Sequence, residues 1–397
     1  MSLPPLPVVR LKPKMDPRRI RFGHPWVYAN ELVLDRRTKA LAAGTVALLE
    51  DSNRTPLAAV GFNAASKIAG RVLSLDPESP IDSNWLAGKI DAALALRTQV
   101  YDAPFYRLVH AEGDGLPGVV IDRFGDTAVL QANAAWADAM KDDFARILSA
   151  RGMPNVILNG TGRARSLEGL PELREVIAGQ GPEAPLPVPM NGAIYMADLM
   201  GGQKTGLFFD QRPNHAFLQP FAKGARVLDV FSHVGGFGLA ALAAGAAHVT
   251  AIDGSEPALA LAREGAARMK GATDRLTTDK ADAFAALEAR AGESYEIVIC
   301  DPPAFAPSKQ ALDAGLRAYE RIARLAAPLV TPGGILVLCS CSHAADLNKF
   351  RAASLKGIGR AGRRGQILHT GFAGLDHPQH SALAESGYLK ALFMRLM

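Results

Sequence analysis

Cysteine is scarce in this chain: Cys300, Cys339 and Cys341 are the only three in 397 residues. That excludes a disulfide framework, and no C-x-x-C pair suggests zinc, so no metal is expected and the free thiols imply a reducing compartment. Long apolar runs are missing too. Nothing approaches the roughly 18 residues of a membrane span, and Met1 to Lys14 lacks the charged-then-apolar plan of a signal peptide. A cytoplasmic protein with no membrane partner is the expectation. Repeats at solenoid periods are absent as well, which sets aside an array architecture.

What is present is ample apolar content, 48% of the residues, enough for two or three separate cores in a chain of this length. Charge is uneven. Residues 1 to 75 hold 12 Lys or Arg against 5 Asp or Glu, or +7, which leaves 32 against 34, or −2, for the rest. A basic segment ahead of a near-neutral body is the footprint of a module that docks on phosphate backbone, with Arg10, Lys12, Arg18, Arg19 and Arg21 as its candidate RNA contacts. The plainer alternative is a solvated surface. A second basic run, Lys349, Arg351, Lys356, Arg360, Arg363 and Arg364, contains no acid and lies close in sequence to the chemistry below.

Short apolar stretches broken by turn residues, from Val8 to Leu75, predict a small β-rich domain over 1–75. An α+β domain follows over 76–185. It has a helix from Trp85 to Val100 behind Asp82 and Ser83 as caps, a hairpin from Val119 to Gln131 around Arg123-Phe-Gly-Asp, and a helix from Trp136 to Ala150. Gly179 to Pro189, with four prolines, reads as an irregular linker. Over 186–397, apolar strands alternate with Ala-rich helices: Arg226–Val230, His248–Ile252, Glu296–Cys300 and Gly334–Cys339. This βαβ rhythm predicts a Rossmann-like α/β domain whose ligands sit at the carboxyl ends of a parallel sheet.

The segment Val227 to Gly238 places Asp229 near a strand end, then Phe231, then Gly235-Gly236 in the turn before a helix, where a ligand can approach the backbone. Asp253 ends the next strand, followed by Ser255, and a carboxylate there can accept both hydroxyls of a ribose. Such a pairing indicates a nucleoside-containing cofactor. Gly236-x-Gly238-x-x-Ala241 fits a dinucleotide fingerprint in form, but the later strands argue against one. Asp282, with Ala283 after it, stands where it can meet an adenine amino group, or serve only as a helix cap. Asp301-Pro302-Pro303-Ala-Phe305 makes a rigid turn that aims a side chain and carbonyls at the pocket, moderately specific for methyltransferases acting on bases.

Cys341 falls just beyond the next strand, in the same crevice as Asp301. The C5 carbon of a pyrimidine is a poor nucleophile, and thiolate addition at C6 makes it able to take a methyl group from a sulfonium. Cys300 and Cys339, inside apolar strands, read as small hydrophobes.

Asp301-Pro-Pro-x-Phe with Ser340-Cys-Ser342, the run Gly201-Gly-Gln-Lys-Thr-Gly-Leu-Phe-Phe-Asp-Gln-Arg212, and Asp376-His-Pro378 before Tyr388-Leu-Lys390 closely resemble the large-subunit (23S) ribosomal RNA cytosine-C5 methyltransferase I family. Arg10-Leu-Lys-Pro with His24-Pro-Trp-Val-Tyr28 looks like its PUA domain, and Leu108-Val-His with Asp114-Gly-Leu-Pro-Gly118 like its central domain. The resemblance thus spans nearly the whole chain. It implies a class I methyltransferase domain behind PUA and central domains, S-adenosylmethionine as cofactor and large-subunit ribosomal RNA as partner. By the same resemblance Cys341 is the nucleophile, Gly235, Asp253, Asp282 and Asp301 line the cofactor pocket, and Lys204, Thr205, Asp210, Gln211 and Arg212 form an adjoining segment. Many RNA cytosine-C5 methyltransferases carry a second cysteine after a proline of the Asp-Pro-Pro region; here Ala304 stands there, so one cysteine must suffice. Two other readings compete: methylation of a base nitrogen on the same fold, and a non-catalytic RNA-binding assembly factor. The Ala-rich helices and the β domain offer surfaces for a homodimer.

Overall fold

The computed structural model describes residues 5–202 and 205–397. Their contacts divide them into two compact units. The first comprises residues up to Glu183 together with Leu199–Gly206 and Leu375–Ala384; the second comprises Ala184–Asp198, Leu207–Gly374 and Glu385–Met397. Among the described residues no helix is long and apolar enough to cross a membrane.

The first unit holds two sheets. Strands β1 (Val8–Arg10), β2 (Trp26–Val27), β3 (Thr45–Glu50), β4 (Pro56–Phe62) and β5 (Gly70–Ser74) form one in the order β1-β3-β4-β5-β2, with short helices α1 (Arg18–Arg21) and α2 (Arg36–Lys39) between strands. Its core is Val9, Ile20, Val27, Leu49, Val60 and Phe62. The expected helix is present as α3 (Ser83–Val100), its amino end capped by Asp82, which accepts from the Asn84 and Trp85 amides. The second sheet orders β6 (Phe105–His110), β7 (Val119–Phe124), β8 (Thr127–Ala132), β9 (Asn155–Asn159) and β10 (Arg174–Ala178) as β10-β9-β8-β7-β6. The expected hairpin is β7–β8. The helix expected over 136–150 is interrupted: α4 (Ala135–Ala139) and α5 (Lys141–Ser149) meet at Met140, whose φ of −102° and ψ of 14° break the helical path. A last short helix, α6 (Arg163–Ser166), precedes β10.

The second unit opens with a correction. Leu186–Met190, placed in a linker on account of its prolines, is strand β11, paired antiparallel with β12 (Ala193–Ala197). Pro187 and Pro189 alternate with the buried Val188 and Met190, so only every second residue is asked to face the partner strand, and a strand paired on one side alone accommodates both prolines. The principal sheet contains β13 (Arg226–Val230), β14 (His248–Asp253), β15 (Leu276–Lys280), β16 (Tyr295–Cys300), β17 (Val330–Ser340), β18 (Gly365–Gly371) and β19 (Lys390–Leu396), ordered β15-β14-β13-β16-β17-β19-β18. β13 to β17 run parallel; β19 enters antiparallel between β17 and β18. Helices α7 (Arg212–Ala222), α8 (Gly236–Ala243), α9 (Glu256–Ala267), α10 (Ala283–Ala289), α11 (Leu312–Ala326) and α12 (Leu347–Arg360) complete the unit. Strand order reverses at β13 and β16, and a crevice opens beyond the carboxyl ends of strands at such a reversal.

Candidate active site

β13 delivers Asp229 to the floor of that crevice. Asp229 is buried, its Oδ2 accepts the Gly238 amide at 2.8 Å, and burial pushes its carboxyl up to about 7 against the pull of that bond. The chain then reverses into α8 with Phe231 at φ 63°, His233 at φ 50° and Gly235 at φ 84°. Left-handed backbone at two non-glycine residues is costly and clusters at ligand sites. Gly238 cannot carry a side chain easily, because a Cβ would stand 3.0 Å from Asp229 Oδ2.

Asp253 ends β14. Its Oδ2 accepts the His233 amide and its Oδ1 the Ser255 amide, each at 2.8 Å, which fixes the carboxylate at the crevice mouth. Ser255 caps α9 through the Ala258 amide. Asp282 caps α10 through the Ala285 amide at 2.9 Å, with Ala283 as that helix's first residue. Capping is thus what Asp282 visibly does, with Oδ2 left to other uses. A cleft here is lined by Tyr195, Phe208, Gln211, Phe231, Phe237 and Asp301, among others. Ser232 Oγ and His215 Nδ1 belong to the same lining and are buried with no hydrogen-bond partner among the described residues. Aromatic walls, a fixed carboxylate and unsatisfied polar atoms together fit a nucleoside-containing ligand.

The other half of the candidate site lies at β16 and β17. Asp301 follows Cys300; its Oδ2 accepts from Gln211 Nε2 at 3.0 Å, and Asn214 in turn donates to Gln211 Oε1 at 2.6 Å. Loss of hydration, reinforced by Asp210 and opposed by the Gln211 bond, pushes the Asp301 carboxyl up to about 8. Asp210 accepts from the Tyr388 hydroxyl at 2.7 Å. Cys341, half-buried, comes just after β17, with Sγ 3.9 Å from the Pro302 carbonyl oxygen. The serines on either side of it are fully buried. Ser340 Oγ donates to the Tyr319 hydroxyl, which also bonds Ser342 Oγ, both at 2.8 Å, and Ser342 Oγ accepts the Ala306 amide at 2.9 Å. This hydroxyl clamp ties the cysteine's loop to the loop of Asp301. Phe305 packs its ring 5.0 Å from Tyr319 and 6.2 Å from Phe231. Cys300 and Cys339 are buried, as expected, and burial drives both thiols above their ordinary range.

The structure therefore brings Asp229, Phe231, Gly235, Gly236, Asp253, Ser255, Asp301, Pro302, Gln211 and Cys341 to one end of one sheet. Arg212 begins α7 with its guanidinium 5.5 Å from the Phe209 ring. Thr205 is buried in the first unit, and Lys204 lies outside the described residues. Each basic candidate of the N-terminal module has a local partner: Arg10 with Glu50 at 2.7 Å, Lys12 with the Asn30 carbonyl at 2.9 Å, Arg18 with Asp16 at 2.9 Å, Arg19 with Glu31 at 2.8 Å and Arg21 with Asp51 at 3.5 Å. The second basic run leads away from the candidate site: Lys349, at the start of α12, pairs with Asp346, Lys356 and Arg360 pair with Glu320, and Arg363 donates to the Val330 carbonyl at the amino end of β17, the end opposite Cys341. Its far residues depart because α12 carries the chain back along the length of the strand. Tyr195, His215, Ser232 and Tyr319 went unnoticed in the sequence; only the serines flanking Cys341 hinted at the clamp.

Residues 174–353 match the family model described as S-adenosylmethionine-dependent methyltransferase, and residues 9–75 match a PUA-like domain. Ribosomal RNA large subunit methyltransferase I of Shewanella denitrificans is 33% identical over 395 residues, covering 98% of this chain and 99% of the relative. The ribosomal RNA large subunit methyltransferase of Deinococcus radiodurans is 33% identical over 414 residues and covers all of both. A solved Streptococcus mutans chain described as a SAM-dependent methyltransferase superposes with a TM-score of 0.81 at 18% identity, covering 98% of this chain and 100% of its own. A methyltransferase solved in complex with SAH gives 0.79 at 19%, covering 98% and 99%. At those identities the two structures show the fold, and the expected class I methyltransferase fold with a PUA-like module is met. S-adenosylmethionine is the cofactor. With a third of its residues shared over the full length, this chain belongs to the ribosomal RNA large subunit methyltransferase I family.

Proposed function

We propose that this enzyme forms 5-methylcytosine in large-subunit ribosomal RNA through a thiolate adduct of Cys341. The observation that carries the reading is the placing of the one half-buried thiol at the end of β17 against the Asp301-Pro302 turn, while Cys300 and Cys339 are sealed in the core. Asp253 and Ser232 would hold the ribose of the cofactor and Asp282 its adenine amino group, with Phe231, Gly235, Gly236, Ser255, Ala283 and Pro302 around them. When bound, S-adenosylmethionine supplies an electrophilic methyl group.

Cys341 Sγ adds to C6 of the cytosine, and the electron pair of the C5–C6 double bond becomes available at C5. A carboxyl pushed up to about 8 is mostly protonated at neutral pH, so Asp301 donates to the ring edge where negative charge collects in the adduct. Gln211, held by Asn214, orients that carboxyl. Once C5 is methylated its proton leaves to a base, the C6–S bond breaks and the thiolate is regenerated. One cysteine serves both halves.

The target base must leave its stack to reach such a crevice, and residues 1–75 are the docking module for its backbone in a division of 1–75, 76–185 and 186–397. Arg18 and Arg21 keep side-chain exposures of 72% and 48%, and ion pairs so open to solvent are weak, so phosphate can displace their partners. A substrate in the ribosome places the enzyme in the cytoplasm.

The test uses labelled S-adenosylmethionine, RNA from cells lacking the gene, and digestion to nucleosides. Label in 5-methylcytidine with wild type, reduced by at least about 10³ in Cys341→Ala, is the expected result. Label in another nucleoside, or undiminished in the variant, overturns the thiolate mechanism and favours nitrogen methylation.

A further inference from the structure

Lys390 has no role in the function proposed so far, yet it begins the strand beside the nucleophile. In the β17–β19 register it lies opposite Ser340, the residue before Cys341. Its side chain is buried, and its Nζ donates to the carbonyls of Ser342 at 2.7 Å and Tyr388 at 2.8 Å. It forms no ion pair among the described residues. A buried ammonium without an anion is costly, and two carbonyls satisfy only two of its three donors.

The charges around it do not remove the problem. Asp346, at the start of α12, is bonded to Lys349 through both its amide and its ammonium. Tyr319 on α11 is held in its neutral form by burial, and Asp301 on the facing turn is pushed up to about 8. Asp210 is taken by Tyr388, and His343 is exposed. Asp346 supports the ammonium only after the thiol between the two clamped serines, which is the foremost group able to carry a negative charge against it.

We propose that Lys390 is the positioning residue that makes Cys341 a nucleophile, its pinned ammonium being the counter-ion of the thiolate. This rests on Cys341 as the attacking group. Burial pulls the Lys390 ammonium down to about 8, with the charges of Cys341 and then of Asp346 opposing that pull, so the ammonium and the thiolate favour each other and titrate as a pair. The active form, thiolate with ammonium, then occupies a pH window bounded below by protonation of sulfur and above by loss of the lysine proton.

The experiment measures the rate of Cys341 alkylation by iodoacetamide across pH in the full chain, read on the Cys341 peptide by mass spectrometry, in wild type, Lys390→Met and Lys390→Arg. Wild type is expected to titrate at least about one unit below the ordinary cysteine value of about 8.5. Lys390→Met is expected to raise that value and slow alkylation at neutral pH about tenfold, with Lys390→Arg staying near wild type. An ordinary value in wild type overturns the proposal without any variant, which keeps it decidable if Lys390→Met does not fold. A Lys390→Met profile equal to wild type in a protein with an unchanged melt overturns it as well. Alkylation does not require methyl transfer, so a Cys341→Ala enzyme that still makes 5-methylcytidine would refute the nucleophile and leave this measurement standing.

Discussion

Asp229 and Asp301 meet no cation among the described residues; Asp229 accepts from the Gly238 backbone amide and Asp301 from the Gln211 side-chain amide and the Cys339 thiol. Burial pushes the two carboxyls up to about 7 and about 8, above the ordinary aspartate value of 3.8. The folded state therefore holds protons that the unfolded state has released, so their contribution to stability is complete below about pH 4 and is lost as pH rises through 7 and 8. Asp301→Asn, which cannot ionise, is expected to gain on wild type in melting temperature as pH goes from about 5 to about 8. A difference between the two melts that stays constant over that range would refute the assignment. At this scale the sequence was legible in placing Asp253, Asp301 and Cys341 at the carboxyl ends of strands. It was silent where a side chain arrives by tertiary packing: nothing in the surroundings of Tyr319 along the chain connects it to Ser340, 21 positions away.

Elements read best when their signals are local. Asp82 was legible as a cap because a cap is a matter between a residue and the next three. Asp82→Ala is expected to cost about 1 kcal/mol in chemical denaturation, and a loss under about 0.3 kcal/mol would mean that solvent satisfies the Asn84 and Trp85 amides equally well. β11 was misread because proline content signals irregular chain only when the strand must be paired on both sides; one neighbour, β12, leaves room for two prolines. The interruption at Met140 was not legible, since Trp136, Phe144, Ile147 and Leu148 keep a helical spacing on either side of it and all four are buried.

For the whole molecule, a linear reading sees contiguous segments, while the first unit takes in residues from three stretches of chain. The bonds responsible are specific. Arg97, with no exposed side-chain surface, makes two 2.7 Å bonds to Asp114 and a third, at 3.0 Å, to the Asp376 carbonyl. Asp376 Oδ2 accepts the Arg107 amide at 3.1 Å, and the His377 ring lies 4.8 Å from that of His110. The motif Asp376-His-Pro378 thus belongs to the architecture of the first unit. Arg97→Met leaves Asp114 buried without its cation, at an expected cost of about 3–5 kcal/mol. Urea unfolding of the full chain measures it, and a loss below about 1 kcal/mol would show that the pair contributes no net stability.

The same weave has a consequence in time. A ribosome makes this chain from its amino end, but the first unit is not finished until residue 384 has emerged, because Leu375–Ala384 is part of it. The second unit waits longer still: β19, made after β18, must enter between β17 and β18, and until then β17 presents an open edge. Completion of each unit during translation is thus delayed until these late segments have been made. An enzyme that acts on ribosomal RNA would spend its own synthesis as an incomplete chain held at a ribosome.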